Sequence, residues 1–257
     1  MVTAIISITA FATAILTFFS GFGLGTILTP VFMLFFPVEL AIALTGIVHF
    51  FNNLFKLILV GRNADLEVLI KFGVPAVIAA FIGSYVLLNI PNSIPVFSYN
   101  AFGKHIEVLP IKFVISILLL LFAIADLLPS FNQIYFKKDK LIIGGLLSGF
   151  FGGLSGNQGA LRSAFLMKIG LSKEELIGSA VVVSTFVDFT RLTMYATHFN
   201  KSGLIDNIQL VVSATFSAVI GAYIGNKLLK KVTLKFLRIL TAILLILVSL
   251  GLGLGFL

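Results

Sequence analysis

The chain is written in long apolar runs, and its polar residues fall in short interruptions between them. Residues 2–19 form one such run and read as a helix. Gly21-Phe22-Gly23-Leu24-Gly25 breaks it; a short helix carrying Pro30 resumes over 26–36 and stops at Pro37. Val38–Val60 is a full span, and Arg62-Asn63-Ala64-Asp65 is a turn. Residues 66–90 span again, with Pro75 as a kink, since proline cannot donate to the helical ladder. Residues 91–110 form the one sizeable polar loop. In it Val96-Phe97-Ser98-Tyr99 and His105-Ile106-Glu107-Val108 can pair as a hairpin around 100–103. Further spans follow over 111–128, from Ser172 to about His198, and over 204–229 and 234–256. Ser172-Lys173-Glu174-Glu175 is a helix start of capping-box type. Between the basic loop 131–140 and Ser172 lies a second broken element, 141–168. It holds Ser148-Gly149-Phe150-Phe151-Gly152-Gly153-Leu154-Ser155-Gly156-Asn157-Gln158-Gly159-Ala160-Leu161-Arg162. Each glycine costs a helix about 1 kcal/mol relative to alanine, so the helix is expected to break near Ser155-Gly156 and start again.

Composition turns this pattern into a class. The 257 residues are 59% hydrophobic and only 11% charged. That is more apolar surface than a soluble core absorbs, and several runs reach the roughly 20 residues that span a bilayer. The expectation is an all-α polytopic membrane protein, one transmembrane domain over 1–257. Residues 2–19 lack a charged leading region and run into more membrane sequence, so they do not read as a signal peptide. No cysteine is present, which excludes disulfides, thiol catalysis and thiolate metal sites. The net charge of +8 marks a cytoplasmic side rather than a nucleic-acid partner. The 27 Phe residues are lipid-facing and packing material.

The two halves resemble each other. Ser20-Gly21-Phe22 recurs as Ser148-Gly149-Phe150, and Asn53 with Lys56 recurs as Asp188 with Arg191. Phe81-Ile82-Gly83-Ser84-Tyr85 recurs as Val219-Ile220-Gly221-Ala222-Tyr223, and the Leu-rich run 117–123 as 243–249. This reads as two repeats, about 1–130 and 137–257, each a broken element plus three spans. Charge then selects the topology. If each broken element is a V returning to its starting side, Arg62, Lys71, Lys137, Lys138, Lys140, Lys168, Lys173, Lys227, Lys230, Lys231, Lys235 and Arg238 share one side. Only Lys104, Lys112 and Lys201 fall on the other. The positive-inside rule places the first set in the cytoplasm, both termini outside, and the repeats in inverted orientation.

Few residues at depth carry chemistry. Lys56, Arg162 and Arg191 are cations there, against Asp188 as the comparable carboxylate. Asp188 and Arg191 stand three apart, the spacing of an ion pair on one helix face. Lys56 has Asn53 where the other repeat has Asp188, and it either snorkels past Gly61 or faces the interior. Arg162 sits one turn beyond the break, where helical side chains lean back toward the N-terminus. Asn157 and Gln158 add amides at the break; Ser155, Gly156, Gly23, Gly25 and Thr26 add backbone and hydroxyl donors. A helix N-terminus followed by Arg suits an anion. His49 reads as a satisfied interface histidine before a proton relay, and His198 as structural. Gly21–Gly25 is not a dinucleotide fingerprint, because no βαβ unit surrounds it.

The run from Gly149 to Arg162 resembles the second-repeat signature of the sulfite exporter TauE/SafE family. Gly21 to Gly25 with Pro30 and Pro37 looks like the first-repeat counterpart, and the resemblance covers nearly the whole chain. The sequence departs from the family pattern at Asn157-Gln158 and in lacking a proline near Ala164 and Phe165. The resemblance implies a secondary transporter, exporter or permease, for sulfite or organosulfonates, with the bilayer and a small anion as partners and no cofactor. An anion channel on the same scaffold is the alternative. An intramembrane enzyme is disfavoured, since no H-E-x-x-H, paired aspartates or G-x-S-x-G lies in a span.

Overall fold

The computed structural model describes residues 1–18, 23–101, 103–128, 136–167, 169–196, 205–228 and 234–257. Ser20, Gly21, Phe22, residues 131–135, Lys168, His198, Lys201, Lys230 and Lys231 lie outside the described residues. The helices are α1 (Val2–Thr17), α2 (Gly25–Met33), α3 (Val38–Val60), α4 (Leu66–Leu88) and α5 (Pro110–Leu127). They continue as α6 (Leu141–Ser155), α7 (Gly159–Leu166), α8 (Lys173–Ala196), α9 (Ile208–Leu228) and α10 (Leu234–Gly253). Among the described residues five helices are long and apolar enough to cross a bilayer: α3, α4, α5, α8 and α9. Their outer faces carry bare apolar side chains such as Ile58, Val212 and Phe216, which only lipid can cover at this density. The protein is an all-α polytopic membrane protein.

Local chemistry sets the boundaries. At the start of α8 the Ser172 N–H donates to Glu175 Oε2 at 2.8 Å and the Glu175 N–H to Ser172 Oγ at 3.2 Å, a reciprocal capping box. Asp65 caps α4 by accepting from the Val68 N–H at 2.8 Å. The kink expected at Pro75 takes the form of one π turn over Leu69–Gly73, a wider turn that absorbs the missing proline N–H. The strands β1 (Phe97–Ala101) and β2 (Lys104–Val108) pair antiparallel, Tyr99 opposite Ile106. Tyr99 Oη donates to the Leu254 carbonyl at 2.5 Å, tying this hairpin to the C-terminus.

Cross-contacts fix which ends lie together. α4 and α6 run parallel: Gly145, Gly149 and Gly153 press against the backbone at Phe72, Ala76 and Ala80, where any Cβ would collide. Such small-residue stripes let membrane helices approach backbone to backbone. Lys138, just before α6, bonds Glu67 at the start of α4 at 3.3 Å. α3 and α8 run antiparallel, Gly46 against Arg191 and Gly178 against the backbone of Val60 and Ala64. The Asp65 N–H donates to Ser179 Oγ at 2.9 Å. α6 and α8 therefore start at one end of the molecule, and α6–α7 doubles back. At the other end Val2, Phe35, Phe36 and Asp206 line one cavity, so α1–α2 doubles back as well. Asn92 joins Glu39 there at 2.8 Å, and both termini lie at this second end.

Contacts between the halves come in matched sets. α4 packs on α6 as α9 packs on α1; α4 meets α8 as α9 meets α3; α3 pairs with α8 and α5 with α10. α2 is buried along its whole length, which explains why its sequence shows no polar stripe. Ser148-Gly149-Phe150 lies inside α6, ahead of the break, whereas Gly23 and Gly156 both take the left-handed conformation, φ +81° and +78°. Gly23, within the expected break 21–25, thus shares its backbone conformation with Gly156 at the second break.

Candidate functional site

The site grows from the antiparallel crossing of α3 and α8. On α3, His49, Asn53 and Lys56 follow one another at steps of four and three and share a face. On α8, Ser184, Asp188 and Arg191 repeat the same steps. All six side chains are buried, none more than 4% exposed. Asp188 holds the crossing together. Its Oδ2 lies 2.5 Å from His49 Nδ1 and accepts from Asn53 Nδ2 at 2.9 Å. Arg191 Nη2 stands 2.9 Å from its Oδ1.

The two helix breaks close over this crossing. Left-handed backbone at Gly23 and Gly156 strains any residue with a Cβ. The Gly156 carbonyl lies 3.1 Å from where a side chain on Gly25 would start, so the breaks touch. At the corresponding point of Gly23, His49 Nε2 is 3.1 Å and Arg162 Nη2 3.5 Å away. At that of Gly156, Arg191 Nη1 is 2.9 Å and Thr29 Oγ1 3.3 Å away. Each break is therefore faced by a guanidinium.

Beside Gly23 lies a small cavity of about 20 Å³, room for about one water. Lys56, Arg162, Asn53, Ser184 and Thr17 supply its polar lining, and among the described residues no carboxylate lines it. Arg162 Nη1 donates to Ser184 Oγ. Lys56 does not reach the surface: it is 3% exposed, and its Nζ sits 5.2 Å over the Phe18 ring. Among the described residues Lys56 has no acidic partner. A buried ammonium costs several kcal/mol, roughly, unless another charge answers it.

The structure thus gathers Gly23, Asn53, Lys56 and Arg162 around one cavity, and Gly25, Gly156 and Arg191 around the contact of the breaks, with Asp188 paired to Arg191 behind it. The remaining expected residues sit nearby in other roles. Thr26 Oγ1 is turned back to the Gly23 carbonyl at 2.9 Å, and Ser155 Oγ to the Phe151 carbonyl at 3.0 Å. Gln158 folds over Gly152 beside Val187. The buried amides of Asn157 and Gln158 make no side-chain hydrogen bond among the described residues. Sequence reasoning missed Ser184 and Thr29, and it gave His49 no place in the site. The signal for His49 and Ser184 was their shared position, one turn before Asn53 and Asp188.

Among the described residues no three His, Asp or Glu side chains gather as a metal group. Cations, amides and free helix ends suit an anion. A family model described as Sulfite exporter TauE/SafE matches residues 6–252. The chain belongs to the TauE/SafE family. No curated protein and no solved structure matches it. Membership implies a membrane transporter of sulfur anions. The run from Gly149 to Arg162 carries the second break and the guanidinium that crosses to the first.

Proposed function

We propose that this protein is a secondary carrier for small sulfur oxyanions, sulfite or short sulfonates, working by alternating access. The anion is held at the junction of the two breaks, in the cavity at Gly23, which widens from its closed size of about one water to admit it. Lys56 and Arg162 supply charge, Asn53 and Asn157 supply amide donors, and α2 and α7 point their N-termini at it. The observation that carries this reading is the cavity at Gly23, lined by two buried cations and no carboxylate. An anion answers the Lys56 ammonium, and the Arg fork donates two hydrogen bonds to an oxyanion at once.

Alternating access draws support from the doubled-back broken elements and the matched contacts between halves. On this reading 1–130 and 137–257 are inverted repeats that rock about the α3–α8 crossing. The end bearing Arg62, Lys71 and Lys138 is cytoplasmic and both termini lie outside. An inside-negative potential then assists anion efflux by about 2.3 kcal/mol per charge per 100 mV. Sulfite flux in proteoliposomes is the test. A carrier saturates and shows counterflow; flux that rises linearly and lacks counterflow makes it a channel, and no sulfite flux removes the substrate class. Single cysteines at positions 62 and 138 should label from the cytoplasmic face with an impermeant reagent, and one at 104 from outside. Labelling of 62 and 138 from opposite faces would sink the topology.

A further inference from the structure

His49 takes no part in the anion contacts above, yet it stands between a carboxylate and the same cavity wall. Its Nδ1 lies 2.5 Å from Asp188 Oδ2, and its Nε2 faces Gly23. Arg162 Nη2 converges on that point from α7. An ionised carboxylate can only accept, so Nδ1 carries the proton and Nε2 of a neutral ring is a bare acceptor. A lone pair turned toward an anion repels it. A protonated Nε2 donates to the anion and adds a positive charge.

The charged groups that face His49 are Asp188 and Arg191 from α8 and Arg162 from α7, with Lys56 two turns on along its own helix. Three cations against one carboxylate oppose a further positive charge on the ring. An arriving anion removes that opposition and offers Nε2–H an acceptor. We propose that His49 is a proton-binding site, and that a proton on Nε2 enters and leaves together with the anion. This rests on the reading that the anion occupies the cavity at Gly23. The step is a simple exchange: the imidazole takes one proton from water as the anion docks and returns it when the anion leaves. Linkage is reciprocal, so if the anion raises proton affinity, the proton raises anion affinity by the same factor.

Sulfite is the probe. Its binding to the purified protein is measured by calorimetry in two buffers of different ionisation enthalpy, with sulfite's own titration subtracted. The expected result is uptake of about one proton per sulfite, and affinity that rises by up to about tenfold per pH unit as pH falls. His49→Gln keeps a polar side chain at the crossing but cannot titrate; it should bind sulfite about tenfold more weakly, with no proton uptake. Sulfite binding without excess proton uptake overturns the proposal, as does uptake that persists in folded His49→Gln protein. Absence of any sulfite binding overturns the anion-site reading instead, and this proposal with it. If His49→Gln does not fold, the proton count of the unmodified protein decides alone.

Discussion

The α3 face His49-Asn53-Lys56 and the α8 face Ser184-Asp188-Arg191 share their spacing, burial and crossing, and they differ in charge. On α8 the cation has its answer three residues away, Arg191 at 2.9 Å from Asp188. On α3 the matching position is Asn53, which donates its own N–H to Asp188. One carboxylate therefore serves both faces, and Lys56 is left over. Two faces of like spacing thus differ in charge balance through a single side chain. The second break closes on an internal ion pair; beside the first the Lys56 ammonium stays buried, a charge we propose an anion answers.

The largest expected effect comes from removing the shared carboxylate. Asp188→Asn strands Arg191 in a buried setting and should cost about 3–5 kcal/mol of stability. Asn53→Ala removes one hydrogen bond and leaves Asp188 its other two partners, so about 1 kcal/mol is expected. Chemical unfolding in detergent compares the two. Equal losses would mean that Asp188 does not organise the crossing.

The second test separates a cation that binds from a cation that builds. Arg162→Ala should cost about 2–5 kcal/mol in sulfite affinity, roughly 30-fold or more, while the protein stays folded. Arg162→Lys restores charge without the planar fork and should recover only part. Arg191→Ala should act the other way, mainly on stability, because it leaves Asp188 buried without its ion-pair partner. Sulfite binding by folded Arg162→Ala protein at parental affinity would move the site away from the first break.

How far the sequence led depends on the range of the interaction involved. The bounds of α3, the hairpin, the capping box at Ser172 and the end of α6 at Ser155 rest on local signals, and all were legible. The doubling back of α1–α2 and α6–α7 was legible only through the summed charge of distant loops. The site was read less well. Lys56 was allowed a path to the surface because its neighbour Phe18 comes from another helix. His49 was set aside because its partner, Asp188, is distant in sequence. Ser20-Gly21-Phe22 lies outside the described residues, and a three-residue likeness to Ser148-Gly149-Phe150 carries no backbone information. What the two breaks share in the structure is a positive φ, at Gly23 and Gly156.

Those two glycines sharpen the comparison at smaller cost. An L-residue in left-handed backbone loses about 1–2 kcal/mol, so Gly23→Ala and Gly156→Ala should destabilise by similar amounts. Their effects on sulfite should differ. A methyl on Gly23 would stand between His49 Nε2 and Arg162 Nη2, at 3.1 and 3.5 Å, and should weaken binding. A methyl on Gly156 would press on Arg191 Nη1 at 2.9 Å and should add to the stability loss. Unfolding and sulfite titration of both variants distinguish these outcomes, and a matched loss of affinity in the two would count against an asymmetric site.

The smallest expected effect lies where the two crossing helices begin. α8 starts on a reciprocal box between Ser172 and Glu175. α3 starts at Pro37 with no side-chain cap at all. Ser172→Ala removes the hydroxyl that accepts the Glu175 N–H and frees one end of the box, which should cost about 1 kcal/mol. The box is more than two turns of α8 before Ser184 and lines no part of the cavity at Gly23. Sulfite affinity should therefore stay at the parental value while thermal stability falls slightly. A change in affinity as large as the change in stability would show that the start of α8 is coupled to the site. The rigid crossing assumed for α3 and α8 would then give way to one in which α8 moves as the anion binds.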